Sequence, residues 1–476
     1  MSNAPTLCWF RLDLRLADHP ALQAAAERSG PVIPVFIWAP EEEGEWAPGA
    51  AARVYLHHTL EAFMRRLGSH HSRLVLREGP TLDTLRALVR ETGAGAVYWN
   101  RRYEPACIAR DARVKEALRE DGLEVKSYNG ALLNEPHTIE NKQGRPYKVF
   151  TQYYKRASAD YEVARPSPEP SFSHPDAWPK SLALDELGLL PATDWAGGIR
   201  EFWTFGERGA ADEFDRFLDE GLADYQAGRD DPSANGTSKM SPHLHWGTVS
   251  PRQLFHRIGD VSRGRLSSSH EGYIRELYWR EFSYHMLYHF PHTTNEPLME
   301  RFAAFPWRES KEDLRAWQKG RTGYPPVDAA MRQLWETGWM HNRMRMVVAS
   351  FLVKHLRLHW LHGARWFWDT LVDADLASNT MGWQWAAGCG ADAAPYFRVF
   401  NPILQGERFD KDGAYVKHYL PELEKLPPKY VHKPWEAPDE VRDYAGVRLG
   451  DSYPAPIVEH KAAREAALNA FDQVKR

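Results

Sequence analysis

The chain is predicted to open with an α/β domain built on a parallel sheet and to continue into a larger all-α domain. Three observations predict this. Over residues 5–130, short apolar runs alternate with Ala-rich amphipathic stretches, the pattern of strands separated by helices. A run such as "VIPVFIW" at Val32–Trp38 is apolar on both faces, as a strand covered by helices on both sides requires. From about residue 201 to residue 476, helical periodicity dominates and no internal repeat is evident. A chain of 476 residues is long enough for two or three domains.

The expected strands are Thr6–Phe10, Val32–Trp38, Leu74–Leu76, Ala96–Trp99 and Leu123–Tyr128. Amphipathic stretches near 19–28, 53–67, 81–92 and 106–120 lie between them. The alternation is that of a Rossmann-like sheet, over residues 1–130. It is not a dinucleotide site of the usual kind, because the turn after the first strand, "RLDLRLADH", has no glycine. "GAGA" at 93–96 precedes a strand, the wrong context for a phosphate loop. Residues 131–200 read as a connector, with Pro166, Pro168, Pro170, Pro175 and Pro179 clustered and no sustained period. Residues 201–476 form the helical domain. Phe214, Phe217, Leu218, Leu222 and Tyr225 give it a first helical stripe, and further helices are expected near 271–290, 326–337, 341–358 and 363–377.

Composition excludes several classes. With 43% hydrophobic and 26% charged residues the chain is an ordinary globular protein, apart from its 19 Trp. A net charge of -4 gives no global attraction to nucleic acid. From Ser238 to Arg280, however, Lys239, Arg252, Arg257, Arg263, Arg265, Arg275 and Arg280 outnumber the acids Asp260, Glu271 and Glu276. Charge alone fits a local basic face or a solvated helix surface equally. Cys8, Cys107 and Cys389 are scattered, without zinc spacing, which suits a reducing compartment. There is no HExxH pattern, so no metal is expected. Arg11, Asp13 and Arg15 interrupt the N-terminal region, so no signal peptide is expected, and no apolar run approaches a membrane span. A cytoplasmic protein follows.

Chemistry concentrates between Thr337 and Trp385. Asn342, Arg345 and Met346 share one helical face at i, i+3 and i+4. Asp373, Asp375 and Asn379 follow in "LVDADLASN", then Trp383 and Trp385 in "GWQWAAG". Carboxylates, an amide and an arginine beside apolar surface are costly to bury unless paired. A large heteroaromatic ligand with several hydrogen-bonding atoms would pair them. Upstream, "GTSKMSPHLHWG" has the form of a helix entry, with Ser241 suited to the N-cap and Pro242 to N1. Thr237, Ser238 and Ser241 would bring hydroxyls and N–H groups to that positive end, for an anion or for simple capping. "ELYWREF" sets Glu276, Trp279 and Arg280 at i, i+3 and i+4, either an ion pair beside a packed indole or a ligand face.

These blocks, in this order and with this spacing, resemble the flavin domain of the DNA photolyase/cryptochrome family, and the likeness runs from "LCWFRLDLRL" to "NPILQGERFD". "FWDTLVDADL" and "REFSYHMLYHFP" look closer to the bacterial class III branch, kin of plant cryptochromes. The resemblance implies a light-dependent lyase that splits cyclobutane pyrimidine dimers in UV-damaged DNA by electron transfer from photoexcited reduced FAD. It implies FAD binding by Tyr225, Thr237, Ser238, Lys239, Met240, Ser241, Tyr273, Arg280, Asn342, Arg345, Asp373, Asp375 and Asn379. An amide at 379 cannot give up a proton, as the Asp of plant-type cryptochromes can. Glu276, Trp279, Asn342, Met346 and Trp385 would line the pocket for the flipped-out dimer. Stacking on indole is worth roughly 1–3 kcal/mol per base, and a lesion stacks poorly in the duplex, so it is extruded more cheaply than a normal base. Trp383, Trp360 and Trp307 would form an electron relay, and Arg343 and Arg398 would contact phosphates.

The resemblance also implies an antenna chromophore in the N-terminal domain, 5,10-methenyltetrahydrofolate in the class III branch, with a deazaflavin or none as alternatives. Ala106 and Cys107 replace the Asn-Glu pair of a folate-binding bacterial type, and Val54-Tyr55 stands where a Trp pair is expected. The alternatives on function are a cryptochrome-like blue-light photoreceptor, which a long signalling tail after "AALNAFDQVKR" would favour, and a (6-4) photolyase, which would favour His at Asn342. A monomer that joins the bacterial nucleoid only when on DNA is expected.

Overall fold

The computed structural model describes residues 3–159, 162–262, 264–393 and 397–475. Its sheet has five parallel strands: β1 Thr6–Phe10, β2 Val32–Trp38, β3 Val75–Glu78, β4 Ala96–Asn100 and β5 Glu124–Tyr128. They lie in the order β3-β2-β1-β4-β5. The chain therefore reverses direction of winding between β1 and β4, where doubly wound sheets open a crevice beyond their strand ends. Helices α1 Pro20–Ala26, α2 Ala50–Ser69, α3 Thr81–Thr92 and α4 Pro105–Glu120 alternate with the strands. β1 and β2 are buried along their whole length, which explains their unbroken apolar runs. Pro34 is tolerated in β2 because pairing with β3 starts only at Val35. The expected strand at 74–76 extends instead to Glu78: β3 is an edge strand, so Arg77 and Glu78 stay at the surface.

One face of the sheet packs Leu7, Trp9, Ile33, Val35 and Val97 against Leu85 and Leu88 of α3 and Val114 and Leu118 of α4. The polar turn after β1 is buried. Arg15 donates to Asp18 O, Gly130 O and Gly247 O at 2.8, 2.6 and 2.9 Å. Gly247 has φ +67, and a Cβ there would lie 2.2 Å from Leu12 O, so no other residue fits that approach.

The chain separates into two compact units. The first holds Met1–Asp219, Ser238–Pro291 and Val372–Ala377; the second holds Glu220–Thr237, His292–Leu371 and Ser378–Arg476. Besides the sheet and its helices, the first unit contains α5 Phe150–Ala159, α6 Gly206–Arg216, α7 Ser241–His245 and α8 Ser268–His289. The second contains α9 Pro325–Thr337, α10 Asn342–Ser350, α11 Trp360–Thr370, most of α12 Leu376–Ala387, and α13 His460–Val474.

Two helical expectations need correction. The stripe from Phe214 to Tyr225 is not one helix: α6 ends at Arg216 and a wider turn covers Phe217–Gly221. Its Phe214, Phe217, Leu222 and Tyr225 are nevertheless buried. The segment expected at 363–377 breaks after Thr370, where Leu371 is extended, and α12 starts afresh at Leu376. Asp375 therefore precedes the helix that carries Asn379. Among the described residues, no helix is long and apolar enough to cross a membrane.

Candidate active site

In the first unit, the "GTSKMSPHLHWG" segment enters α7 differently from expectation. Met240 is the N-cap, Ser241 is the first helical residue and Pro242 the second. α7 is five residues long, so its dipole is small, and the polarity of the segment comes from side chains. Ser238 is buried and accepts a hydrogen bond from Tyr273 OH at 3.1 Å. Tyr273 packs edge-tilted on Phe217, 4.8 Å between centroids, and burial pushes its phenol pKa up, so it stays a neutral donor. Lys239 has φ +50, a left-handed conformation that turns the chain into the helix, and its Nζ lies 3.9 Å from Glu213.

α8 keeps the spacing of "ELYWREF", so Glu276, Trp279 and Arg280 do lie on adjoining turns of one helix. Glu276 and Trp279 are half-buried. Arg280 donates to Ala131 O at 2.8 Å and lies 4.9 Å from the Tyr284 ring, which ties α8 to the connector. Trp279 is covered on one face by Phe150. Asp375 is partly buried, its side chain 11% exposed; it accepts from Tyr284 OH and lies 3.8 Å from His245. Burial pushes its pKa up, but His245, Arg280 and Tyr284 outweigh that and hold it well below the usual carboxylate range. Trp246 fixes the turn that carries Asp373, which is buried, by donating to Val372 O at 2.9 Å.

Arg252 is 2.9 Å from Asp18, Arg257 pairs with Asp215, and Arg275 lies 5.0 Å from the Phe150 ring. Arg263 lies outside the described residues.

In the second unit, α10 begins at Asn342 behind the cap His341, whose Nδ1 accepts from Arg343 N at 3.2 Å. Burial lowers the His341 pKa to about 4, which keeps the ring neutral and able to accept. Asn342 is exposed, and Arg345 and Met346, one turn on, are half-buried. Arg345 Nε donates to Met340 O at 2.8 Å. Arg343 is ion-paired to Asp230 at 2.5 Å. Arg398 is exposed and stacks on Phe400 at 4.5 Å, while its carbonyl takes a 2.8 Å hydrogen bond from Lys354; Ala394–Tyr396 of the same motif lie outside the described residues. Tyr225 is buried under Arg229, 5.2 Å from its ring. Thr237 closes the second unit's first segment.

The three tryptophans named for electron relay are all in this unit. Trp383 is 2% exposed, and its ring lies directly on Gly363: a Cβ there would be 2.0 Å from the indole. Gly363 is one turn from Trp360 on α11, so the two share a face. Trp360 stacks on His359 at 5.7 Å, and His359 meets Trp307 at 5.1 Å. Sequence reasoning missed His359; its only signal was a His next to Trp360 at a helix start. Burial and the neighbouring His362 lower its pKa to about 4, so the ring between the two indoles is neutral. Trp385, two residues from Trp383, points about 200° away around α12 and is half-buried. Gln384 between them locks the helix, donating to Thr293 O and Glu296 O at 2.7 Å each.

A flavin fits this donor set. Asn379 Nδ2 donates to Ala364 O at 3.0 Å, which leaves its oxygen as the group offered to a ligand. The Trp383 Nε1–H is buried with no hydrogen-bond partner among the described residues, a costly state for a dry interior. In the first unit, the Ser238 hydroxyl, the neutral Tyr273 phenol, Lys239 and the ionised Asp375 suit a ligand with phosphates and hydrogen-bonding heteroatoms.

Comparison with known proteins agrees. A family model described as DNA photolyase matches residues 6–171, and one described as the FAD binding domain of DNA photolyase matches residues 273–473. The chain is 49% identical to a deoxyribodipyrimidine photo-lyase of Agrobacterium fabrum, over 100% of this chain and 99% of that one. It is 39% identical to cryptochrome-2 of Arabidopsis thaliana, over 99% of this chain and 79% of the other. The crystal structure of a bacterial class III photolyase from Agrobacterium tumefaciens superposes with a TM-score of 0.96 at 49% identity, covering 100% of this chain and 98% of that one. The chain belongs to the DNA photolyase family.

Proposed function

We propose that this protein is a light-dependent deoxyribodipyrimidine photo-lyase that splits cyclobutane pyrimidine dimers in UV-damaged DNA. The observation that carries the reading is the aromatic line of Trp383 on Gly363, Trp360, His359 and Trp307. Indole is among the few oxidisable side chains, so such a line suits an electron relay. When bound, reduced FAD supplies the photoexcited electron that opens the dimer and receives it back.

The protein's own residues bind, orient and exclude water. Ser238, Lys239, Met240, Ser241 and Tyr273 supply polar contacts for phosphates, with Thr237, Tyr225 and Arg280 in support. Arg345, Asp373, Asp375, Asn342 and Asn379 surround the ring system, and Asn379, being an amide, cannot release a proton to it. Glu276 hydrogen-bonds a pyrimidine carbonyl, Trp279 and Trp385 stack on the flipped-out bases, and Asn342 and Met346 fill the rest of the pocket. Trp383, Trp360 and Trp307 relay an electron inward from the surface. Arg343 and Arg398 hold phosphates.

The same reading gives an antenna-binding domain at 1–130, a connector at 131–200 and an FAD-binding catalytic domain at 201–476. For the antenna it takes 5,10-methenyltetrahydrofolate, with a deazaflavin or none as the other outcomes of chromophore extraction. Val54 and Tyr55 are fully buried, and Tyr55 packs 5.0 Å from Phe205 and 5.9 Å from Trp203, so this pair favours a chromophore seat elsewhere in the domain. The buried, unbridged cysteines suit a bacterial cytoplasm, with action as a monomer at the nucleoid. The test is an absorption spectrum of the purified protein, then illumination with dimer-containing DNA: a bound flavin and restored pyrimidines are expected. A protein that binds flavin and DNA but repairs nothing is a cryptochrome-like photoreceptor, and the reading fails.

A further inference from the structure

Phe150 and Trp279 form a full-face sandwich. Their ring centroids are 3.5 Å apart and the planes differ by 8°. Aromatic pairs usually prefer an offset or edge-on arrangement at 4.5–7 Å, so this geometry is imposed by the surroundings. Phe150 is fully buried at the first position of α5. Phe282 meets it edge-on at 5.9 Å and meets Trp279 edge-on at 6.0 Å. Tyr154, one turn along α5, stacks on Phe150 at 5.8 Å. Arg275, one turn before Trp279 on α8, places its guanidinium 5.0 Å from the Phe150 ring and 5.3 Å from Tyr154. The phenyl ring cannot move without displacing all of these.

We propose that Phe150 is a positioning residue for lesion recognition: it seals one face of the Trp279 indole and fixes the ring, so that a flipped-out pyrimidine stacks only on the opposite face. This rests on Trp279 being the lesion platform. A tryptophan that sampled several rotamers would be ordered by each lesion it bound, and that ordering would be subtracted from affinity. With the sandwich in place the ordering is done at folding. One open face also limits Trp279 to one base of a dimer, which leaves the second base to other side chains.

The test uses the full-length flavin-loaded protein with Phe150→Leu, Phe150→Tyr and Trp279→Ala. Equilibrium binding is measured to an oligonucleotide carrying one cyclobutane dimer and to its undamaged copy, alongside flavin content and repair at saturating enzyme. Phe150→Leu should weaken lesion binding about 3- to 10-fold, the range set by immobilising one side chain. Undamaged binding, flavin content and repair at saturation should not change. Phe150→Tyr should restore affinity, and Phe150→Leu should add nothing to Trp279→Ala. Should Phe150→Leu melt below the assay temperature, Phe150→Met is read in the same way. Wild-type lesion affinity without the aromatic ring, equal weakening of damaged and undamaged binding, or tighter lesion binding overturns the proposal while Trp279→Ala still weakens it. An unchanged lesion affinity in Trp279→Ala overturns the lesion-platform reading itself, and this proposal with it.

Discussion

The Arg343 guanidinium lies 2.5 Å from Asp230 Oδ1 and 4.4 Å from the centre of the Phe409 ring. Arg343 is thus held by a carboxylate where a DNA phosphate is expected, and phosphate must compete with Asp230. A partly exposed pair of this kind is worth ~0.4–1 kcal/mol. Asp230→Asn should therefore tighten binding of damaged and undamaged DNA by about 2- to 5-fold. Arg343→Ala should weaken both alike and reduce the log-log salt slope by about 0.9. In the double variant Asp230→Asn should add nothing. Unchanged affinity and slope in Arg343→Ala would remove it from the phosphate contacts.

Gly363 fixes the seat of Trp383. A Cβ at 363 would meet the indole at 2.0 Å, and a ring packed against Phe367 at 5.0 Å and Trp317 at 6.0 Å has nowhere to go. Gly363→Ala should cost about 1–3 kcal/mol of stability, as overpacking does, and should slow light-driven flavin reduction by moving Trp383. Trp383→Phe should slow it strongly with much less effect on repair by chemically pre-reduced protein. Transient absorption on both variants checks this, and wild-type photoreduction in Trp383→Phe would exclude this relay.

Much of the architecture was legible because it is local. The both-face apolar runs marked β1, β2 and β4, and the three-and-four spacing placed Glu276, Trp279 and Arg280 on one helix. What was not legible depends on long-range contact or on a single dihedral. β3 was drawn short because its end is a polar edge. The break at Leu371–Asp375 hid inside a helical pattern, since "LVDADL" contains neither Gly nor Pro. Ser241 looked like the cap because Pro242 follows it, but the left-handed Lys239 moves the helix start by one residue. Phe150 against Trp279, and Asp230 against Arg343, join segments far apart in the chain, and nothing in either segment alone announces the partner.

His285 makes the connector sensitive to acid. Its Nε2 accepts from Tyr147 N at 3.0 Å and its Nδ1 donates to Pro136 O at 3.2 Å, a pattern that only the neutral ring can satisfy. Burial, then His289, lower its pKa from 6.5 to about 4. Between these values the unfolded chain binds a proton that the folded one refuses, so stability rises with pH across the window. The contribution, at most about 3 kcal/mol, is complete above pH 6.5 and is lost as pH falls toward 4. Denaturant unfolding at pH 7 and pH 5 should show a smaller pH dependence in His285→Gln than in the parent; an equal dependence would place the titration elsewhere.

Glu276 is half-buried on α8, and it is proposed as a lesion contact, not as a flavin contact. Glu276→Ala should lower repair efficiency and leave flavin content unchanged, as read by chromatography of the released chromophore. Loss of flavin would move Glu276 to the cofactor site.

The proposed activity is a light-driven split of cyclobutane dimers. The proposed pocket residues offer two indoles, an amide, a thioether and one carboxyl group, and the family resemblance puts Asn342 where a (6-4) enzyme would carry a histidine. A cyclobutane dimer needs only an electron to open two C–C bonds, so that histidine is not required. The most direct measurement illuminates the reduced protein with two oligonucleotides, one bearing a cyclobutane dimer and one a (6-4) product, and follows restoration of normal pyrimidines by chromatography. Restoration of the cyclobutane oligonucleotide alone is the predicted result. Restoration of the (6-4) oligonucleotide alone, or of neither while flavin is reduced and DNA is bound, would contradict the account.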